Sequence, residues 1–256
     1  MLKITTLLFS LLLSECSFSF VVLIDPGHGG TEHGATTKVT RKNSKGKYYT
    51  RTVYEKDFAL ILAKKVKKHL QAKHSTYLTR SFDRTVTLEK RAEMAETVKA
   101  DIFISIHFNS STEKKSHGFE TYYLDNHDDV AIKKVEMIEN ENLKGKDKVV
   151  NQILIDLVID KTVVSSKKLA KMVHKNISKK ISKKFQMTDR GVKPGLFYVL
   201  ALSKRPGILI EAGFISNPNE VKKLSSPNYL DNYAKGIAMG ISKFIESRPK
   251  RGLPLF

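Results

Sequence analysis

With a single cysteine, Cys16, in 256 residues, the chain cannot be held together by internal disulfides, and zinc sites built on thiolates are excluded. Acidic side chains are also in short supply: 26 Asp plus Glu stand against 45 Lys plus Arg, a net charge of +19. A field of that sign attracts polyanions, whether nucleic acid, lipid head groups or an acidic cell-wall polymer. No RRM, zinc-finger or arginine-rich base-reading pattern accompanies it, and the lysines are spread along helices rather than gathered with aromatics. Nucleic acid is therefore not an expected partner. Internal repeats are missing, as is any Gly- or Pro-rich linker before the basic tail RPKRGLPLF (247–256 region). Apolar residues at 41% against 28% charged point instead to one globular domain.

The N-terminal apolar stretch Ile4–Leu13 is too short to span a bilayer. Preceded by Lys3 and followed by small residues, it has the layout of a secretory signal over residues 1–19. Cleavage after Cys16 or Ser19 would leave Ser14 or Ser17 at the minus-three position. A buried N-terminal strand or an uncleaved anchor is the alternative. Glu15 makes the segment before Cys16 a poor lipoprotein signal.

What is present is an alternation of strand and helix. FVVLID (20–25), STYLTR (75–80), DIFISIHF (101–108) and PGILIEAGF (206–214) read as strands, and GFETYYL (118–124) as a strand with one wetter face. Glu55–Leu70 carries an apolar stripe at 58, 61, 62, 66 and 70; Leu88–Val98, the basic Lys167–Phe185 and Leu230–Ile245 read as further helices. The pattern predicts a single α/β domain over 20–246, a mostly parallel or mixed twisted sheet with helices on both faces. Two segments interrupt it. Residues 36–54 read as a β-hairpin loop around a Lys-Gly turn. Residues 126–164 form a helical insertion, with an acidic helix VEMIENENL followed by the apolar VVNQILIDLVID. Insertions of that length are usually functional or regulatory.

Ionisable residues collect at strand ends. His28 follows the first strand, His107 closes DIFISIH, Glu211 ends GILIE, and Glu55 opens a helix from which it can face back to that edge. Ligands of open α/β sheets bind beyond the carboxyl ends of the strands. Two histidines and a carboxylate are the ligand set of a catalytic zinc site with one position open for water, and a further carboxylate would serve as general base. Plainer readings exist for His28, a turn residue among glycines, and for Glu55, a helix cap. His107 and Glu211 resist them, because an ionisable group at the end of a buried strand needs a partner. The remaining histidines, at 33, 69, 74, 117, 127 and 174, are expected on solvated surface.

Together, IDPGHGGTEHGA, VYEKDFAL, TLEKRAEMAETVKADIFISIHFNS, GFETYYL, RGVKPGLFYVL and RPGILIEAGFISNPNEVKKL resemble the successive signatures of zinc-dependent N-acetylmuramoyl-L-alanine amidases of the bacterial cell-separation type (the amidase 3 family), from about residue 20 to about 245. The resemblance implies one zinc ion held by His28, Glu55 and His107, with Glu211 catalytic. It also implies hydrolysis, in peptidoglycan, of the amide between N-acetylmuramic acid and L-alanine, during daughter-cell separation. Secretion across the inner membrane to the periplasm, as a monomer, goes with it. Gly27, Gly29 and Gly30 would let backbone approach metal and substrate. Asn109 is a candidate for binding substrate or orienting a ligand, capping a turn being the alternative. Glu32 replaces a usual aspartate and Glu96 a usual asparagine, both outside the ligand set. Some members carry an autoinhibitory helix whose glutamate blocks the zinc until an activator protein withdraws it. Here Glu139 and Glu141 are candidates for that glutamate, and VVNQILIDLVID for the activator's grip; a helix merely covering a sheet edge is the alternative. The positive charge would help retain the enzyme on the wall, unless it is only a compositional bias. A zinc peptidase cutting within the stem peptide, or an inactive wall-binding module, are the rival functions.

Overall fold

The computed structural model describes residues 20–140 and 151–248. The expected signal at 1–19, the end of the tail and Glu141 lie outside the described residues. In chain order the elements are β1 (Val21–Pro26), β2 (Thr36–Lys42), β3 (Tyr48–Tyr54), α1 (Glu55–Leu70), β4 (Ser75–Leu78), α2 (Leu88–Thr97), β5 (Ile102–Asn109), β6 (Phe119–Leu124) and α3 (Val130–Glu139). Then follow α4 (Asn151–Phe185), β7 (Asp189–Gly195), α5 (Tyr198–Ser203), β8 (Gly207–Phe214), α6 (Pro218–Leu224) and α7 (Pro227–Glu246).

Six strands form one sheet in the order β4-β1-β5-β8-β6-β7, and β2 pairs with β3 in a separate hairpin. The first four strands run parallel, whereas β6 is antiparallel to β8 and parallel to β7. The expected mixed α/β sheet is what forms. The two-residue period of each strand sorts its side chains between two cores. Val22, Ile24, Ile104, Ile106, Ile208 and Ile210 pack under α1, α7 and the C-terminal half of α4. Leu23, Phe103, Leu209, Tyr122 and Leu124 pack under α3, α5 and the N-terminal part of α4. On this second face, each row continues toward the carboxyl edge of β5 and β8 as polar residues: Asp25 after Leu23, Ser105 and His107 after Phe103, Glu211 after Leu209. Glu120 precedes Tyr122 on the reversed strand β6, which places it at the same edge.

Two expectations need correcting, and three elements went unread. Lys167–Phe185 is only the second half of α4, a 35-residue helix of about 52 Å that also takes in most of the apolar insertion segment. Neither glycine nor proline occurs between 151 and 185, so nothing stops it. Strand β6 has no wet face: all six residues are buried, because Phe119 packs on His174 of α4 and Tyr122 on Phe197. Strand β7 and the short helices α5 and α6 were not anticipated as elements. In β7 the sequence RGVKPG looks like a turn, and its proline is tolerated because β7 is an edge strand. No helix among the described residues is long and apolar enough to cross a membrane.

Candidate active site

The loop after β1 is fixed from beneath by two buried arginines. Arg80 donates to the carbonyls of Pro26 (3.0 Å), Gly27 (2.8 Å) and Lys56 (2.8 Å); Arg91 donates to those of Pro26 (3.0 Å) and His28 (2.9 Å). Arg91 also pairs with Asp25, which accepts from Thr79 Oγ1 at 2.6 Å and Ser105 Oγ at 3.0 Å. Burial opposes the charge on Asp25, but Arg91 and these donors hold its carboxyl below the usual range. Arg91 stands in the block TLEKRAEMAET and Arg80 at the end of STYLTR, but sequence reading assigned neither a role. Removing Arg91 leaves a buried carboxylate unpaired, so Arg91→Met is expected to cost about 3–5 kcal/mol of stability, read from denaturant unfolding.

His28 itself sits at φ +55. A Cβ on Gly27 would overlap the His107 ring, so Gly27 is bare because the second histidine lies against it. Gly27→Ala is accordingly expected to displace His107, with the loss appearing in bound metal as well as in turnover. Gly29 and Gly30 do something other than expected: they back onto Arg84 and Thr85, so their freedom seats the loop rather than opening the substrate side. Gly34 was overlooked, although a Cβ there would meet Glu55 Oε2 at 2.5 Å.

Glu55, first residue of α1, is aimed by two backbone donors: Ala35 N–H to Oε2 at 2.8 Å and Phe108 N–H to Oε1 at 2.9 Å. Its Oε1 lies 3.2 Å from His28 Nε2 and 3.1 Å from His107 Nδ1. Glu139, the last residue of α3, brings Oε2 to 2.6 Å from His107 Nδ1 and 3.6 Å from His28 Nε2. One ligand atom from each of the four falls within 4.8 Å of the others. His28 Nε2 and Glu139 Oε2 are buried without a properly aligned hydrogen bond. His107 Nδ1 and Glu55 Oε1 do hydrogen-bond, at 3.1 Å, but two imidazoles and two carboxylates that converge within 4.8 Å, with two of their buried atoms lacking an aligned bond, are a donor set that fits a metal ion. Burial opposes charge on both histidines, yet Glu55 and Glu139 raise His28 and lift His107 well above the usual imidazole range. Burial likewise opposes ionisation of Glu55, but His28 and His107 hold it well below the usual carboxylate range.

Glu211 is fully buried beside this group, in register with His107 on β5 and with Glu120 on β6. Neither of its oxygens has a hydrogen-bond partner. Burial first and the charge of Glu139 second push it well above the usual carboxylate range. Asn109 is buried and donates to Glu120 Oε1 at 2.8 Å. Its amide is thus committed to a carboxylate that sequence reading overlooked, one that Arg190 (3.1 Å) and Lys193 also approach. The expectation of surface histidines fails at His174, buried between Thr121 Oγ1 (2.9 Å) and Asp189 Oδ1 (2.6 Å), and at His127, whose Nε2 meets Glu136 Oε1 at 2.6 Å. Glu96 pairs with Arg205 on the surface, away from the ligand group.

Helix α3 lies over the site. Asp129 caps its start, accepting from Ala131 N–H at 2.7 Å, and Ile132 anchors it in the second core. At its end Asn140 donates to the Leu196 carbonyl (2.8 Å) and accepts from Tyr198 N–H (3.0 Å), while Glu136 accepts from Leu196 N–H. The cavity left among His28, His107, Glu139, Asn140 and Phe197 is about 20 Å³, room for a water and not for a sugar or peptide.

Residues 22–243 match the family model described as N-acetylmuramoyl-L-alanine amidase. The chain belongs to that family. The amidase is 32% identical over 235 residues to N-acetylmuramoyl-L-alanine amidase AmiA of Escherichia coli, covering 88% of this chain and 75% of AmiA. An N-acetylmuramoyl-L-alanine amidase of Clostridium difficile 630 superposes with a TM-score of 0.65 at 28% identity, over 90% of this chain and 99% of that one. AmiC2 of Nostoc punctiforme does so with a TM-score of 0.64 at 30% identity, over 89% and 97%. The amidase is therefore an enzyme of the cell wall that acts on peptidoglycan.

Proposed function

We propose that His28, Glu55 and His107 hold one zinc ion, that Glu211 is the general acid and base of the amide hydrolysis, and that Glu139 keeps the site shut until it is withdrawn. The observation that carries this is the convergence of four ligand atoms within 4.8 Å, three from the body of the domain and one from α3. A zinc ion supplies Lewis acidity and lowers the pKa of water from about 15.7 toward 7. Glu211 takes the proton of the attacking water and returns it to the leaving amine of L-alanine; a carboxyl raised by burial suits both transfers near neutrality. Glu55 is held by Ala35 and Phe108 so that it needs no reorganisation. Asn109 steadies Glu120 in the row beside Glu211.

Because the metal-free histidines are protonated above their ordinary range, zinc binding is expected to release protons near pH 7 and to weaken as pH falls. Calorimetric titration in buffers of different ionisation enthalpy reads this directly; a zinc affinity independent of pH contradicts the ligand assignment. Mass spectrometry of digested sacculi tests the reaction, intact stem peptides with a free L-alanine amine being the expected product.

Withdrawal of α3 requires a partner. Val130, Met137 and Ile138 on α3 and Ile153, Leu157 and Val164 on α4 are exposed apolar side chains within the insertion, which suit it to an activator protein. Domain 20–246 is the catalytic unit, residues 1–19 direct its secretion, and its role is in cell separation. The net charge assists retention on the anionic wall, a contribution that added salt weakens.

A further inference from the structure

The β2–β3 hairpin has no part in the chemistry above, yet it is rooted at the centre. Its closing pair, Thr36 with Tyr54, is one residue from Glu55, and the strands below it are joined by Glu55 N–H to the Ala35 carbonyl at 2.9 Å. Register sorts its side chains. Val53 and its neighbour Val39 face the core. The other face carries Lys38, Thr40 and Lys42 opposite Thr52, Thr50 and Tyr48, all exposed. Thr40 and Thr50 share a hydrogen bond of 2.9 Å, and Lys42 Nζ lies 5.5 Å over the Tyr48 ring, so this face is ordered. Toward the site the row continues through Tyr54, whose ring lies 4.8 Å from that of His33 and 5.7 Å from Lys56 Nζ. Tyr48 is 68% exposed, with only the Lys42 ammonium placed over its ring among the described residues. Residues 36–54 contain six basic side chains and no acidic one.

We propose that this outer face is a peptidoglycan-binding arm that holds the polymer beyond the scissile bond, an inference that rests on the reading of the site as acting on that polymer. Seven residues per strand give the arm a reach of about 24 Å from Glu55. Tyr48 and Tyr54 offer flat apolar rings to the faces of sugar rings, the threonine hydroxyls meet sugar hydroxyls, and Lys38 and Lys42 meet the carboxylates of stem peptides. A two-stranded ribbon standing in water is marginally stable alone. A bound strand that spans its length would order it further.

The test compares polymer with a minimal substrate. In Lys38→Ser, Lys42→Ser, Tyr48→Ala together, affinity for purified sacculi, measured by co-sedimentation in a Glu211→Gln background, is expected to fall about tenfold, about 1.4 kcal/mol. Turnover of a soluble disaccharide-peptide, read in a Glu139→Ala background that leaves the site open, should stay within about twofold of that parent in the same triple variant with Glu211 intact, since that substrate does not reach the arm. Lys38→Arg with Lys42→Arg should keep sacculus affinity. Unchanged sacculus binding in the triple variant overturns the proposal, as does an equal loss on both substrates, or a loss of binding to anionic lipid vesicles with sacculus binding intact. Failure of the amidase reading looks different: even with Glu139→Ala opening the site, neither parent nor variant then releases stem peptides from the soluble substrate.

Discussion

Glu211→Gln is expected to lower turnover by about 10²–10⁴-fold, the usual contribution of a positioned general acid and base, while fold and zinc content persist. Three features separate these effects. Glu211 is not among the four residues whose ligand atoms converge, so its loss removes no ligand. Its oxygens make no hydrogen bond, so an amide of the same shape breaks none. It also sits buried beside the charge of Glu139, which already favours a neutral side chain at that position. Thermal unfolding and metal analysis of Glu211→Gln should therefore match the parent. Loss of zinc in this variant would make Glu211 a ligand instead, and turnover within tenfold of the parent would deny it the proton-transfer role. Glu211→Asp, which shortens the side chain by one methylene, should fall between the two, because proton transfer depends on hydrogen-bond reach.

The fold and the centre were legible in the sequence to different degrees. Continuous apolar strands interrupted by one polar residue near their ends gave the sheet and the row of His107 and Glu211, since a buried strand admits an ionisable group only for a reason. Helix α1 was readable to its last residue from its apolar spacing and its acidic start. Other features needed three dimensions. The roles of Arg80 and Arg91 depend on the carbonyls of Pro26, Gly27 and His28, more than fifty residues away in sequence. Glu120 looked like the wet face of a strand because its partners Asn109, Arg190 and Lys193 come from two other strands, β5 and β7. The joining of the apolar insertion segment to the basic helix was hidden by the change of composition at Lys161, although no helix breaker lies there. Of the two glutamates singled out in the insertion, only Glu139 falls within the described residues, and it meets both histidines.

Glu139→Ala is expected to raise basal turnover about tenfold to a hundredfold, seen as faster stem-peptide release without any activator. A glutamate held against the histidines by its own helix acts as a tethered ligand at millimolar effective concentration, so removing it returns to substrate the position it occupied. Deleting residues 130–162 would be a poorer experiment, because Ile132, Ile155, Val158 and Ile159 are buried with Phe103 and Leu209 in the second core. Such a deletion exposes the face of the sheet that carries the site, and inactivity would say nothing about Glu139. Point variants avoid this. Glu139 lies at the end of α3, and its side chain contributes no core packing. Asn140→Ala gives the complementary case: it keeps the carboxylate but removes both bonds to the Leu196–Tyr198 segment, so α3 should lift more readily. Its activation should be smaller than that of Glu139→Ala, since Ile132 and the Glu136 contacts still hold the helix. The two together should exceed either alone, because one weakens the lid and the other the plug. A folded, zinc-loaded Glu139→Ala enzyme as slow as its parent would mean that α3 covers the sheet edge without governing access.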